Sequence, residues 1–275
     1  MAHPSDTVVS SFATPVRTTV MWSIGICVAL SLAGMFMPKW LTFLITMAAA
    51  NGLVSLGIVA LMRGGVVSFG QGMVFAIGGY AAALLSNKMG ITDALVLTFS
   101  GGLASALIAA PFSPLLSRYR GIFFAMLTLA LSMVTYGLLM KLEVLGGSDG
   151  FNMGRPTLFG QKLPDESVGY IMYVITISVS TLMALLARIY FDSTRGLITL
   201  AAKENELRVE YLGGSVRHAM AINFILAAFC GGLGGALAVM ALGHIEPNFS
   251  FWTTSGEFVF VAILGGWQSV IALFL

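Results

Sequence analysis

Charge is the scarcest property of this sequence. Of 275 residues, 9% are Asp, Glu, Lys or Arg, where a soluble domain carries about 25%. A chain so poor in charge cannot cover an ordinary domain surface in water, which excludes a soluble fold. The net charge of +2 is small. Its basic residues are scattered singly between apolar runs, so nothing points to nucleic acid as a partner. Histidine is also rare. His3, His218 and His244 each lack a second ligand at metal spacing, so no metal site and no other cofactor is expected. The dipeptide Gly-Lys never occurs, which removes the phosphate-cradling loop and with it any visible means of hydrolysing ATP. With no acid–base or metal cluster to argue for catalysis, the chain is read as a non-enzyme. Cys27 and Cys230 both lie inside apolar segments and read as small buried hydrophobes, not as a disulfide framework.

What is abundant is apolar: 57% of residues are hydrophobic and the mean hydropathy is +0.92. The 32 glycines suit transmembrane helices, which approach closely through small residues. Stretches of about 17–25 apolar residues between charges predict an all-α, polytopic membrane protein with about eight segments. They are Val20 to Met37, Leu41 to Met62, Val66 to Ser86, Ala94 to Ser117, Ile122 to Met140, Gly169 to Phe191, Ala219 to Gly243, and Thr254 to the end. Pro111 and Pro114 should kink or break the fourth. Residues 1–19 are polar and mixed, unlike a cleaved signal peptide, and are read as a tail preceding one membrane domain, 20–275.

Orientation follows from the basic residues. With the N-terminus cytoplasmic, nine of them lie inside (Arg17, Arg63, Arg118, Arg120, Arg188, Arg195, Lys203, Arg208, Arg217) against five outside (Lys39, Lys88, Lys141, Arg155, Lys162), the bias the positive-inside rule selects. Residues 141–168 then form an exported loop rich in turn formers. Residues 192–218 form a cytoplasmic loop. Within it, Ala201 to Leu212 reads as one short amphipathic helix, with Glu204 paired to Arg208 on one face and Gly213-Gly214 as its stop.

Two stretches stand out for function. Ion-coupled carriers need titratable groups in the membrane, and Glu257, the acid embedded near an apolar run, reads as a boundary residue. An active transport role would therefore draw its energy from a separate ATPase, with the helix at 201–214 as the docking element; the plainer alternative is a solvated connector. The other stretch is the third segment, Ser68-Phe69-Gly70-Gln71-Gly72 through Gly78-Gly79-Tyr80. Its glycines weaken the helix, and interrupted helices expose polar backbone at mid-membrane. Gly78 and Gly79 read as packing residues, as do the glycines of 231–235. Ser68 and Gln71 read equally well as path-lining groups or structural hydrogen-bonders.

Four stretches, taken in order, resemble the permease subunits of the branched-chain amino-acid ABC importers, specifically the longer of the two paired permeases. They are Val66-Val67-Ser68-Phe69-Gly70-Gln71 with Gly78-Gly79-Tyr80; Arg118 through Ala130; Gly146-Gly147-Ser148-Asp149-Gly150; and Lys203-Glu204-Asn205-Glu206-Leu207-Arg208 with Glu210-Tyr211-Leu212-Gly213, continuing to Phe249-Ser250-Phe251-Trp252 and Leu264-Gly265-Gly266. The resemblance implies a multi-pass protein of a bacterial inner membrane, working with a second permease, two cytoplasmic ATPase subunits and a periplasmic binding protein. It implies ATPase coupling through Glu204, Asn205, Glu206, Arg208, Glu210, Leu212 and Gly213. It further suggests a translocation path near Ser68, Phe69, Gln71 and Tyr80, and an exported loop marked by Gly147, Ser148, Asp149 and Gly150. Two departures are expected to matter. Leu207 stands where the general importer loop has an acid, with Glu206 one residue off, and the chain ends soon after Gly266, as if C-terminally shortened. The alternatives left open are a urea or amide importer permease and a self-sufficient channel or secondary carrier.

Overall fold

The computed structural model describes residues 16–266 apart from 159, 163, 165 and 166. Most of the expected N-terminal tail and the end of the eighth segment, including the proposed shortening, lie outside the described residues. The chain is all-α and polytopic. Its helices are α1 (Val16–Gly34), α2 (Lys39–Met62), α3 (Gln71–Met89), α4 (Ala94–Ala109), α5 (Ser113–Leu116), α6 (Gly121–Lys141), α7 (Val168–Asp192), α8 (Thr194–Glu204), α9 (Glu206–Tyr211), α10 (Val216–Leu242) and α11 (Trp252–Gly265). Four two-residue strands, β1 (Phe151–Asn152), β2 (Thr157–Leu158), β3 (Gln161–Lys162) and β4 (His244–Ile245), complete the fold.

Among the described residues, five helical units are long and apolar enough to cross a membrane: α2, α4 continued through α5, α6, α7 and α10. Of the other three expected segments, α1 is a helix of 19 residues, and α11 has 14, the rest of that segment lying outside the described residues. The third segment does not start as a helix at all: residues 66–70 are non-helical and α3 begins only at Gln71. The proline-bearing fourth segment breaks as expected, with a 3-10 turn at Ala110–Phe112 before α5.

Helix α10 is the hub. It packs along α2, α3 and α4, while α7 lies against α2 and also touches α10, and α1 lies on α7. Accordingly 72% of the span in α2 and in α10 is buried, against 22% in α6, so α6 presents most of its surface outward. The expected glycine packing is observed. Gly78, Gly101 and Gly232 bring α3, α4 and α10 together at one crossing: a Cβ at Gly78 would lie 2.5 Å from the Gly232 Cα, and one at Gly101 would lie 2.7 Å from the Gly78 carbonyl. Nothing larger than hydrogen fits there, and lipid-embedded helices gain their attraction from such contact.

Side-chain caps begin the helices where the chain leaves the apolar layer. Asp93 accepts from the Leu95 and Val96 amides at the start of α4, Ser193 from Gly196 at α8, and Ser215 from His218 at α10. Each satisfies donors that a helix leaves orphaned at its first turn.

Candidate functional site

Two places in the bundle combine irregular backbone with polar groups. The first lies at mid-membrane. Residues 66–70 run inward as non-helical chain, and the Phe69 amide donates to Thr128 Oγ1 at 3.1 Å, a position about 10 Å along α6 from Gly121. From the opposite end, a 3-10 turn (Pro247–Ser250) descends between α10 and α11. There the Ser132 hydroxyl donates to the Ser250 carbonyl at 2.7 Å, about 16 Å along α6. The two segments touch: the Gly72 amide donates to Ser255 Oγ at 2.9 Å. Phe249 stacks edge-on to Phe75 at 5.7 Å, and Phe251 packs on Tyr136 at 5.0 Å.

Non-helical backbone survives at membrane depth only where protein or a water-filled cavity receives its polar groups. Here hydroxyls receive them. Ser68, Thr128, Ser132, Ser250 and Ser255 are all buried, with Ser68 Oγ accepting from the Gly70 amide at 3.2 Å. Gln71 is 1% exposed and Tyr80 3%. Each nevertheless holds a buried oxygen without a hydrogen-bond partner, Gln71 Oε1 and the Tyr80 hydroxyl. Such orphans are rare enough in folded proteins to require a reason. Phe69, two residues before Gln71, is half-buried, while Tyr80 lies further along α3, its ring packed on Phe151. Of the four residues singled out from sequence on this segment, Ser68, Gln71 and Tyr80 are thus enclosed within the chain. Sequence reasoning missed the second inward segment, although Pro247 and Ser250 were signals for it.

The second place lies at the end of the bundle where α2, α7 and α8–α9 meet. The expected single helix from Ala201 to Leu212 is in fact two. Asn205 takes an extended conformation (φ −158°, ψ 101°) and its side chain accepts from the Arg208 amide at 3.0 Å, starting α9 afresh. An Asx residue competing with helical backbone explains the break. It separates Glu204 from Arg208 on different helices, so their expected i,i+4 pairing is replaced. Glu206 pairs instead with Arg120 at the foot of α6, and Arg120 Nη1 donates to the carbonyls of Ser117 (2.7 Å) and Tyr119 (2.9 Å). The expected stop is present: Gly213 has φ +84°, and the Gly214 amide bonds to the Val209 carbonyl at 3.0 Å, the left-handed ending that glycine permits.

Val209 anchors α9 into the body, while Leu207 (66%), Tyr211 (89%) and Leu212 (82%) are exposed beside the charged Glu204, Arg208 and Glu210. Leu212 and the charges were legible as candidates. Leu207 and Tyr211, the rest of this apolar surface, were not.

At the opposite end, the loop after α6 is fastened rather than free. Gly146, Gly147 and Gly150 all take positive φ. A Cβ on Gly150 would collide with the Ile245 carbonyl, because β1 pairs antiparallel with β4. Ser148 donates to Asp149 Oδ1 at 2.9 Å. Residues 146–150 also read G-x-S-x-G, but Ser148 sits in a 3-10 turn, without the strand-to-helix elbow that makes such a serine a nucleophile.

Among the described residues, five helical units long enough to span and an internal break between them fit a polytopic membrane permease. The sequence comparisons agree. The family model for the branched-chain amino acid transport system permease component matches residues 40–275, and the chain belongs to that family. It is 26% identical over 247 residues to the high-affinity branched-chain amino acid transport system permease protein LivM of Escherichia coli K12, covering 81% of this chain and 58% of LivM. It is 25% identical over 254 residues to LivM of Salmonella typhimurium LT2, covering 84% and 59%. The chain therefore spans a little under three-fifths of the length of these relatives. No solved structure matches it.

Proposed function

We propose that this chain is one permease of an ATP-driven importer for branched-chain or related amino acids, with a second permease, two ATPase subunits and an external binding protein as partners. The substrate class comes from the relatives' names. The energy source follows from the missing phosphate-binding loop and the want of titratable groups inside the spans. The observation that carries the transport reading is the orphaned oxygen of Gln71, at the start of α3 beside a break lined with hydroxyls, with a second orphan, the Tyr80 hydroxyl, about 13 Å further along the same helix. We assign the path to this seam, near Ser68, Phe69, Gln71 and Tyr80, opening where α6 and α11 meet the second permease.

In this reading the N-terminus is cytoplasmic, α8–α9 faces the ATPase, and residues 141–168, with Gly147, Ser148, Asp149 and Gly150, face the binding protein. Leu207, Tyr211 and Leu212 form an apolar docking surface, with Glu204, Asn205, Glu206, Arg208, Glu210 and Gly213 shaping and charging it. The Arg120–Glu206 pair links that surface to α6, whose Thr128 and Ser132 hold both inward segments.

The test is reconstitution of the tagged chain with whatever copurifies from its native membrane. ATP-dependent uptake of a branched-chain amino acid is expected. Gly213→Arg should abolish substrate-stimulated ATP hydrolysis without loss of membrane insertion, and a Ser68→Ala, Gln71→Ala double variant should lower uptake. Uptake by the isolated chain without ATP would refute the importer reading, and uptake of urea in place of amino acids would redirect the substrate.

A further inference from the structure

A groove of about 210 Å³ opens on the side of the bundle between α2, α7 and α10, lined by Leu56, Ala60, Met183, Phe191, Leu226 and Phe229 among others. Its walls are almost wholly apolar. From Met183 to Phe191 it runs about 12 Å along α7, ending where that helix leaves the membrane. A second helix, about 10–12 Å across, does not fit such a slot; a single hydrocarbon chain does.

The mouth of the groove is basic. Arg63, just past the end of α2, lies with its guanidinium 4.5 Å from the centroid of the Phe191 ring that forms part of the wall. Its Nε is buried without a hydrogen-bond partner. Burial lowers the Arg63 pKa from its usual value, Asp192 opposes that, and Arg188 adds to it. Arginine keeps its proton regardless, so an anion at this point would relieve the cost of desolvating it. The local acid is already engaged: Arg188 Nε and Asp192 Oδ2 are 3.3 Å apart. Arg63 and Arg188 together carry two positive charges against the one negative charge of Asp192. Basic pockets between spanning helices at a membrane surface attract anionic head groups.

We propose that this groove holds one anionic phospholipid, its phosphate against Arg63 and Arg188 and one acyl chain laid between α2, α7 and α10. An apolar slot without the cations would take any lipid. The cations without the slot would take any phosphate. The juxtaposition selects a molecule that has both parts.

The test uses the protein as purified with its accompanying subunits from native membranes in mild detergent, with retained lipid counted by native mass spectrometry. Phosphatidylglycerol is expected to stay bound in preference to phosphatidylcholine of the same chain length. An Arg63→Gln, Arg188→Gln double variant should lower its retention about thirtyfold. Leu226→Trp, which fills the slot and leaves the charges alone, should displace it as well, and so decides the matter if the double variant does not fold. Equal retention of the two lipids, retention unchanged in Leu226→Trp, or displacement by inorganic phosphate alone would each overturn the proposal.

Discussion

The crossing of α3, α4 and α10 allows a quantitative prediction. Replacing Gly78 with alanine places a methyl group 2.5 Å from the Gly232 Cα, where ordinary contact begins at 3.4 Å. The obstacle is backbone on both sides, so no rotamer can yield and the helices must part by about 1 Å. A gap of that size forfeits a quarter to a half of the dispersion attraction of each atom pair it opens, and overpacking of this kind costs about 1–3 kcal/mol. Because both α3 and α4 meet α10 at this crossing, we expect the upper end of that range. Gly137, in α6, is the control: a Cβ there meets nothing within 4 Å, and alanine should gain up to about 1 kcal/mol of helix propensity. The propensity gain is common to both sites, so denaturation of the two variants in mixed detergent micelles measures the crossing directly, with Gly78→Ala about 2–3 kcal/mol less stable than Gly137→Ala. Equal stability of the two would refute the close crossing and the account of α10 as hub.

Three further outcomes are expected. Arg120→Glu and Glu206→Arg should each weaken the tie of α9 to α6 by about 1 kcal/mol and reduce substrate-stimulated ATP hydrolysis. The exchanged double variant should recover it, and failure of that recovery would sink the ion pair as a link. Asn205→Ala removes the cap of α9, costing about 1 kcal/mol, and should loosen the 206–212 segment to limited proteolysis; a cleavage pattern identical to the parent would count against the two-helix arrangement. Gly150→Ala forces a side chain into both a disallowed φ of +64° and the Ile245 carbonyl, and should raise amide exchange at residues 151–153 and 244–245; unchanged protection there would contradict the β1–β4 pairing.

The spans were legible because lipid imposes a simple rule: long apolar runs must close their hydrogen bonds within helices. The glycine crossings at 78 and 232–235, the break at Pro111 and the stop at Gly213 could be read for equally local reasons. What escaped was relational. The pairing of Glu206 with Arg120 joins positions 86 apart in sequence, which no periodicity encodes. The break at Asn205 turned on one side chain choosing the Arg208 amide over continued helix. The descent of residues 247–250 depended on Ser132 being in reach of the Ser250 carbonyl, so the eighth segment began as a packed turn rather than at a membrane surface. Ser68 and Gln71 were singled out by their polarity and Phe69 and Tyr80 by the family resemblance, but the enclosure of Ser68, Gln71 and Tyr80 could be known only once α10 and α11 were in place.

The β1–β4 end and the tie of α9 to α6 differ in firmness. At the β1–β4 end, three separate corners of the chain are stitched together. The Asn87 side chain donates to the Asn152 carbonyl at 2.7 Å, the Thr157 amide to the Thr92 carbonyl at 2.7 Å and the Met153 amide to the Gly243 carbonyl at 2.9 Å, and His244 Nδ1 meets Asn152 Oδ1 at 2.9 Å. At the other end, α9 reaches α6 through a half-exposed ion pair, an interaction that water and salt readily replace. Should a partner press on α9, as proposed above, the Arg120–Glu206 tie is the contact whose loss water most readily makes good, while the β1–β4 end would give last.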